Sequence, residues 1–155
     1  MTCFVNISMA CLRAERWWRR ILRCILGVVL IYAAYRKISE PWIVFAAAID
    51  AYGLLPGSWA IWTARTLPWF EAVLGLALLA GVYLRPVAIG TAGLLGGFFG
   101  VMVYSYATGK VIDCGCFGPG DVLGPTTLLR DGVLLAIALA LVVLAFRADR
   151  QRRTA

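Results

Sequence analysis

Gly132-Val133-Leu134-Leu135-Ala136-Ile137-Ala138-Leu139-Ala140-Leu141-Val142-Val143-Leu144-Ala145-Phe146 is an unbroken apolar run, followed by Arg147, Arg150, Arg152 and Arg153. Fifteen residues without a polar break are too many for an ordinary strand and have no alternation, so the run is helical. Extended back to Thr127, it reaches the roughly 20 residues needed to cross a hydrocarbon core of about 30 Å. The basic cluster at its end is what the positive-inside rule places in the cytoplasm.

Similar blocks occur upstream. Span one is expected from Trp18 to Lys37, span two from Arg65 to Leu84, span three from Val87 to Ala107 and span four from Thr127 to Phe146. Arg13, Arg16, Arg19, Arg20 and Arg23 precede or open the first, so both ends of the chain are basic and an even number of spans follows. Pro41 to Gly53 reads as a short helix, with Pro in its first turn and Gly53 and Pro56 as its stop. About a dozen residues reach only about 18 Å, so this helix is expected at the outer interface. Short connections make neighbouring spans antiparallel.

The expected fold is an all-α membrane protein, a four-transmembrane-helix bundle with a short outer interfacial helix. Residues 1–17 and 148–155 form basic cytoplasmic tails around a membrane domain at 18–147. In span three, Gly93/Gly97 and Gly96/Gly100 are small-xxx-small pairs, read as helix-packing positions.

Composition supports this class. Of the 155 residues, 62% are hydrophobic and 15% charged, against about 45–50% and 25% in soluble domains. Fifteen Lys and Arg face eight Asp and Glu, a formal charge of +7. The arginines flank spans, so the excess is read as topology and contact with lipid headgroups, not nucleic-acid binding. No histidine is present. This excludes Ser-His-Asp and Cys-His nucleophile schemes, His-ligated haem and imidazole zinc sites.

The chemistry is expected in the polar loop between spans three and four, within Asp113-Cys114-Gly115-Cys116-Phe117-Gly118-Pro119-Gly120. By this topology Cys3 and Cys11 face the cytoplasm, Cys24 lies in the inner half of span one, and all three are inert thiols. Cys114 and Cys116 lie outside. Bridging residues i and i+2 requires the chain to curl, and Gly115 opens backbone angles closed to other residues. The ring is small and strained, hence easily reduced. Closing so short a loop restrains little of the unfolded chain, so the pair reads as a redox couple rather than a brace. Thiolates also suit soft metals, so Cu or Hg transport or binding through the CxC stands as an alternative. A non-catalytic membrane assembly factor is a third.

Glu71 lies about six residues into span two, roughly 9 Å below its outer end. A charge there is costly in lipid, so Glu71 should face the interior, stay protonated or pair. Lys37, Arg36, Arg130 and Asp131 lie near the same level. A cluster of Glu71 with Lys37 or Arg130 would serve either as a proton relay or as a helix-pinning ion pair. The outer concentration of Trp42, Tyr52, Trp59, Trp62 and Trp69 is read as an interface belt.

At these residues the sequence resembles the MauE proteins, methylamine-utilisation membrane proteins within the wider DoxX-like group. The resemblance rests first on Asp113-Cys114-Gly115-Cys116-Phe117-Gly118. Tyr32-Ala33-Ala34-Tyr35-Arg36-Lys37 with Pro41, Tyr52-Gly53-Leu54-Leu55-Pro56, Leu67-Pro68-Trp69-Phe70-Glu71 with Gly75, and Leu129-Arg130-Asp131 follow the family's order. It covers about residues 22–146. It implies disulfide or electron transfer at the outer face of the bacterial inner membrane. The partners implied are a thioredoxin-like protein or a disulfide-rich extracytoplasmic one, as in maturation of an amine dehydrogenase subunit. The expected activity is that of a thiol–disulfide oxidoreductase with Cys114, Cys116 and Glu71 central and Lys37, Arg130, Asp131 and Gly115 supporting. No metal and no covalently bound cofactor is expected; a membrane quinone near Glu71 is the expected acceptor.

Overall fold

The computed structural model describes residues 2–54, 56–109 and 122–153, and these contain five α-helices: α1 Thr2–Ser39, α2 Trp42–Ala51, α3 Gly57–Ala80, α4 Leu84–Ala107 and α5 Pro125–Arg153. α1 packs along α3 and α4 along α5. Contacts of α1 with α5 and of α3 with α4 close these four helices into a ring, and α2 lies on α3.

Inward residues follow helical spacing. α1 buries Leu26, Leu30, Ala33, Ala34 and Lys37, and α3 buries Ala60, Ala64, Glu71, Leu74 and Leu78. Steps of three and four residues put each set on one stripe. Leu26, Leu30, Leu74, Leu78, Ala88, Ala138 and Leu141 form the central core. The outward surface is apolar too: Val28, Tyr32, Trp62, Trp69, Val73, Leu76, Leu139 and Val143 are all exposed. A continuous apolar exterior suits hydrocarbon and would be a liability in water.

α1 and α3 approach closely at a pair of glycines. A Cβ on Gly27 would fall 2.8 Å from Leu79 Cδ2 and 3.0 Å from the Gly75 carbonyl oxygen. One on Gly75 would fall 2.8 Å from Ile31 Cγ1 and 3.0 Å from the Gly27 carbonyl oxygen. The two backbones touch because neither residue has a side chain. The packing role expected of the α4 glycines is not met among the described residues. Gly93, Gly97 and Gly100 have open space where a Cβ would stand, and at Gly96 the nearest atom is Leu135 Cδ1 at 3.8 Å.

Helix ends differ from the sequence expectation where local capping decides them. α3 begins at Gly57, behind Pro56, and ends at Ala80, four residues short of the expected Leu84. Gly81 takes a left-handed φ of 74°; its N–H donates to the Leu78 carbonyl and that of Val82 to the Ala77 carbonyl. This paired pattern is a Schellman stop. The turn is therefore Gly81–Tyr83, and Arg85-Pro86 lies in the first turn of α4, where Pro lacks only an N–H that has no helical acceptor. Upstream, α1 carries its helix unbroken from Thr2. α2 starts after Pro41, ends at Ala51, and packs Phe45 and Ala46 on Ala64, with Ile49 and Leu67 alongside.

The four-span expectation is met only in part. Among the described residues two helices, Leu84–Ala107 and the Pro125–Ala148 part of α5, are long and apolar enough to cross a membrane. α1 and α3 have the length, but their composition falls short. Arginines at 16, 19, 20 and 23 with Arg36 and Lys37 leave α1 a short apolar stretch, and α3 carries Arg65, Pro68 and Glu71.

Candidate functional site

Lys37 stands in the last turn of α1, where the helix dipole favours a cation. Its Nζ donates to Glu71 Oε1 on α3 at 2.6 Å, and the two side chains are only 2% and 3% exposed. Glu71 Oε2 is buried and has no hydrogen-bond partner among the described residues. Two further elements close around the ammonium. The Phe45 ring of α2 is centred 5.3 Å from Lys37 Nζ and the Phe98 ring of α4 5.2 Å from it. Aromatic faces at this range attract a cation, more strongly when it is desolvated. Four of the five helices thus converge on one buried charge pair.

Removing two charges from water is costly, and an ion pair recovers that cost only with good geometry and further hydrogen bonds. Here the geometry is short, yet one carboxylate oxygen stays unsatisfied. Such an oxygen can take a proton or a donor from a bound molecule.

A cavity of about 410 Å³ between α2, α3 and α4 has the same two phenylalanines in its wall. Phe45, Tyr52, Leu67, Gly93, Gly97 and Phe98 are among its walls. Gly93 and Gly97 bear on this cavity rather than on a neighbouring helix, since a side chain at either would project into free space. An apolar cavity of this size with a polar pair against its wall phenylalanines has the make-up of a small-molecule site.

The remaining expected residues are placed as follows. Arg130 pairs with its neighbour Asp131, Nε to Oδ1 at 3.1 Å and Nη2 to Oδ2 at 3.4 Å. Asp131 is buried while Arg130 is partly exposed. Thr127 fixes the entry to α5: Gly124 N–H donates to its Oγ1 at 2.9 Å, and the hydroxyl donates to the Val122 carbonyl at 3.1 Å. Of the two partners foreseen for Glu71, Lys37 is the one in contact. Cys114, Gly115 and Cys116 lie outside the described residues. Cys24 is a free, exposed thiol on α1.

Phe45, Phe98 and the Gly93/Gly97 cavity wall were not foreseen as site residues. The signal available was the glycine spacing itself, which fits a packing face and a cavity wall equally well until its partner helix is known.

The family described as Methylamine utilisation protein MauE matches residues 15–144, which include α2–α4, most of α1 and α5, and the loop between α4 and α5. No curated protein and no solved structure matches the chain.

Proposed function

The chain belongs to the MauE family, and from that premise we propose that it is a membrane thiol–disulfide redox protein working through Cys114 and Cys116. The observation that carries the reading furthest is the buried Lys37–Glu71 pair with its unsatisfied Glu71 oxygen, set against the phenylalanines of an apolar cavity. A pair needed only to pin helices gains nothing from an orphan oxygen, whereas a proton-handling group beside a ligand cavity does.

In this reading α1 and α3 cross the bilayer with α4 and α5. Lys37 and Glu71 neutralise one another, and the arginines of α1 snorkel to the inner headgroups. Both termini are cytoplasmic, and α2 and the Cys114–Cys116 loop face outward from the bacterial inner membrane. A thiolate of a reduced outer partner, thioredoxin-like or disulfide-rich, attacks the Cys114–Cys116 disulfide. The mixed disulfide resolves to a partner disulfide and a Cys114/Cys116 dithiol. The cavity walls, Gly93 and Gly97 among them, would hold a membrane quinone, which would supply a two-electron, two-proton acceptor for restoring the disulfide. Glu71 passes one of those protons, and Lys37 holds the carboxylate in place. Arg130 and Asp131, paired in the second turn of α5, support this chemistry from the outer end of that helix.

The test is trapping. In a Cys116→Ser variant the lone Cys114 thiolate attacks the disulfide of the oxidised partner, the reverse of the same exchange; no second thiol on this chain resolves the mixed disulfide, and a reductant-sensitive adduct appears on a non-reducing gel. A variant that inserts normally and forms no such adduct, in cells where the intact pair is functional, overturns the redox reading.

A further inference from the structure

We propose a second site at the opposite end of the bundle: a phosphate-binding pocket built from five arginines, whose ligand chemistry is that of an anionic phospholipid headgroup or a free phosphate. It does not depend on the redox reading.

Arg16, Arg19, Arg20 and Arg23 follow i, i+3, i+4, i+7 spacing and so share one face of α1. Arg85 joins them from the first turn of α4, and all five line a pocket of about 540 Å³. Gly81, Leu84, Ala145 and Ala148 complete it, and the small size of three of these leaves the volume open.

Three features mark the pocket as built for an anion. Arg16, Arg20 and Arg23 stand four and three residues apart on α1, where like charges repel. A bound phosphate removes that repulsion. Secondly, Arg23 reaches the end of α3 with a donor to spare. Its guanidinium occupies the space a side chain at Gly81 would need, and its Nε is buried without a hydrogen-bond partner among the described residues. Thirdly, Arg85 is oriented by Phe146, its Cζ 5.2 Å from the ring centroid. Planar guanidinium forks suit phosphate oxygens, which accept two parallel hydrogen bonds from each. The pocket is larger than a phosphate alone requires and has room for the glycerol of a phosphodiester. Arg23 and Lys37 lie fourteen residues apart on α1, about 21 Å along its axis, so the two sites occupy opposite ends of the core.

The experiment uses the full chain, delipidated in detergent, and native mass spectrometry against phosphatidylglycerol, phosphatidylcholine and inorganic phosphate in separate arms. Phosphatidylglycerol retained at one site in preference to phosphatidylcholine, and bound about thirtyfold more weakly by R20Q/R23Q, supports the pocket with a lipid source. Saturable binding of inorganic phosphate with the same variant dependence, and no preference between lipids, supports it with a free-anion source. R20K/R23K keeps the charge and the topology while removing the guanidinium forks; weakened binding there also supports the geometry. Equal retention of both lipids and no phosphate binding, unchanged in either variant, overturns the proposal.

Discussion

Lys37 and Glu71 lie 34 residues apart in sequence and 2.6 Å apart in space, both almost fully buried. The contact ties the C-terminal turn of α1 to the middle of α3, one helical level above Leu74. Removing either partner leaves a buried charge without compensation, which costs about 3–5 kcal/mol. Lys37→Met and Glu71→Leu singly should therefore each lose stability in detergent unfolding. The double variant should recover most of it, because an apolar pair of similar volume has no charge to desolvate. Redox turnover of the Cys114–Cys116 pair should remain lost in the double variant. Full turnover in a stable double variant would reduce the pair to a helix pin.

Gly27 and Gly75 should tolerate nothing larger. Gly27→Val or Gly75→Val forces α1 and α3 apart at this close approach, and overpacking of this kind costs about 1–3 kcal/mol. Gly97→Leu should behave differently. It projects into the cavity, leaves thermal stability near that of the parent, and blocks reoxidation of the dithiol by an added short-chain quinone. Unimpaired reoxidation in that variant would remove the quinone from the cavity.

This contrast marks the limit of what the sequence discloses. Periodicity placed α2, α4 and the start of α5 within a few residues, because their apolar runs are bounded by Pro41, Gly53, Pro86 and Pro125, while α5 runs on through its basic end to Arg153. It missed the early stop of α3, since Gly81 inside a long apolar block looks no different from Gly75 two turns earlier. Only the positive φ at Gly81 and its neighbours' hydrogen bonds separate them. The same degeneracy misassigned the glycines. Small-xxx-small spacing in α4 looks like a packing face, but the contact that needs glycine is a single Gly27–Gly75 crossing with no motif in either helix. Glu71 was legible because its charge in an apolar run demands an explanation. Lys37 and Arg130 were equally plausible partners until the arrangement of α1 against α3 separated them. Phe45 and Phe98 carry no such signal, since a phenylalanine in an apolar helix is ordinary.

Orientation has a direct test in the native cysteines. An impermeant maleimide applied to intact cells after mild reduction should reach Cys114 and Cys116. Cys3 and Cys11 should react only after the membrane is opened. Cys24, exposed on α1, should need a membrane-permeant reagent if that part of α1 lies in lipid. Labelling of Cys3 from outside would reverse the topology and place Cys114 and Cys116 on the reducing side, where a persistent disulfide does not form.

The potential of the Cys114–Cys116 pair decides between a redox couple and a structural bridge. Structural disulfides of secreted proteins typically lie below about −300 mV. With one residue between the cysteines the closed ring is strained, and strain raises the potential. A redox titration of the purified protein, read by gel shift after alkylation, should give a midpoint well above that figure, in the range where thioredoxin-like proteins exchange. Stability should agree with it. Chain-entropy stabilisation grows with the length of the loop closed, so Cys114→Ser or Cys116→Ser should abolish turnover while hardly moving the unfolding midpoint. A very low potential, or a large loss of stability in either variant, would identify a staple. The Lys37–Glu71 pair would then have no couple to serve.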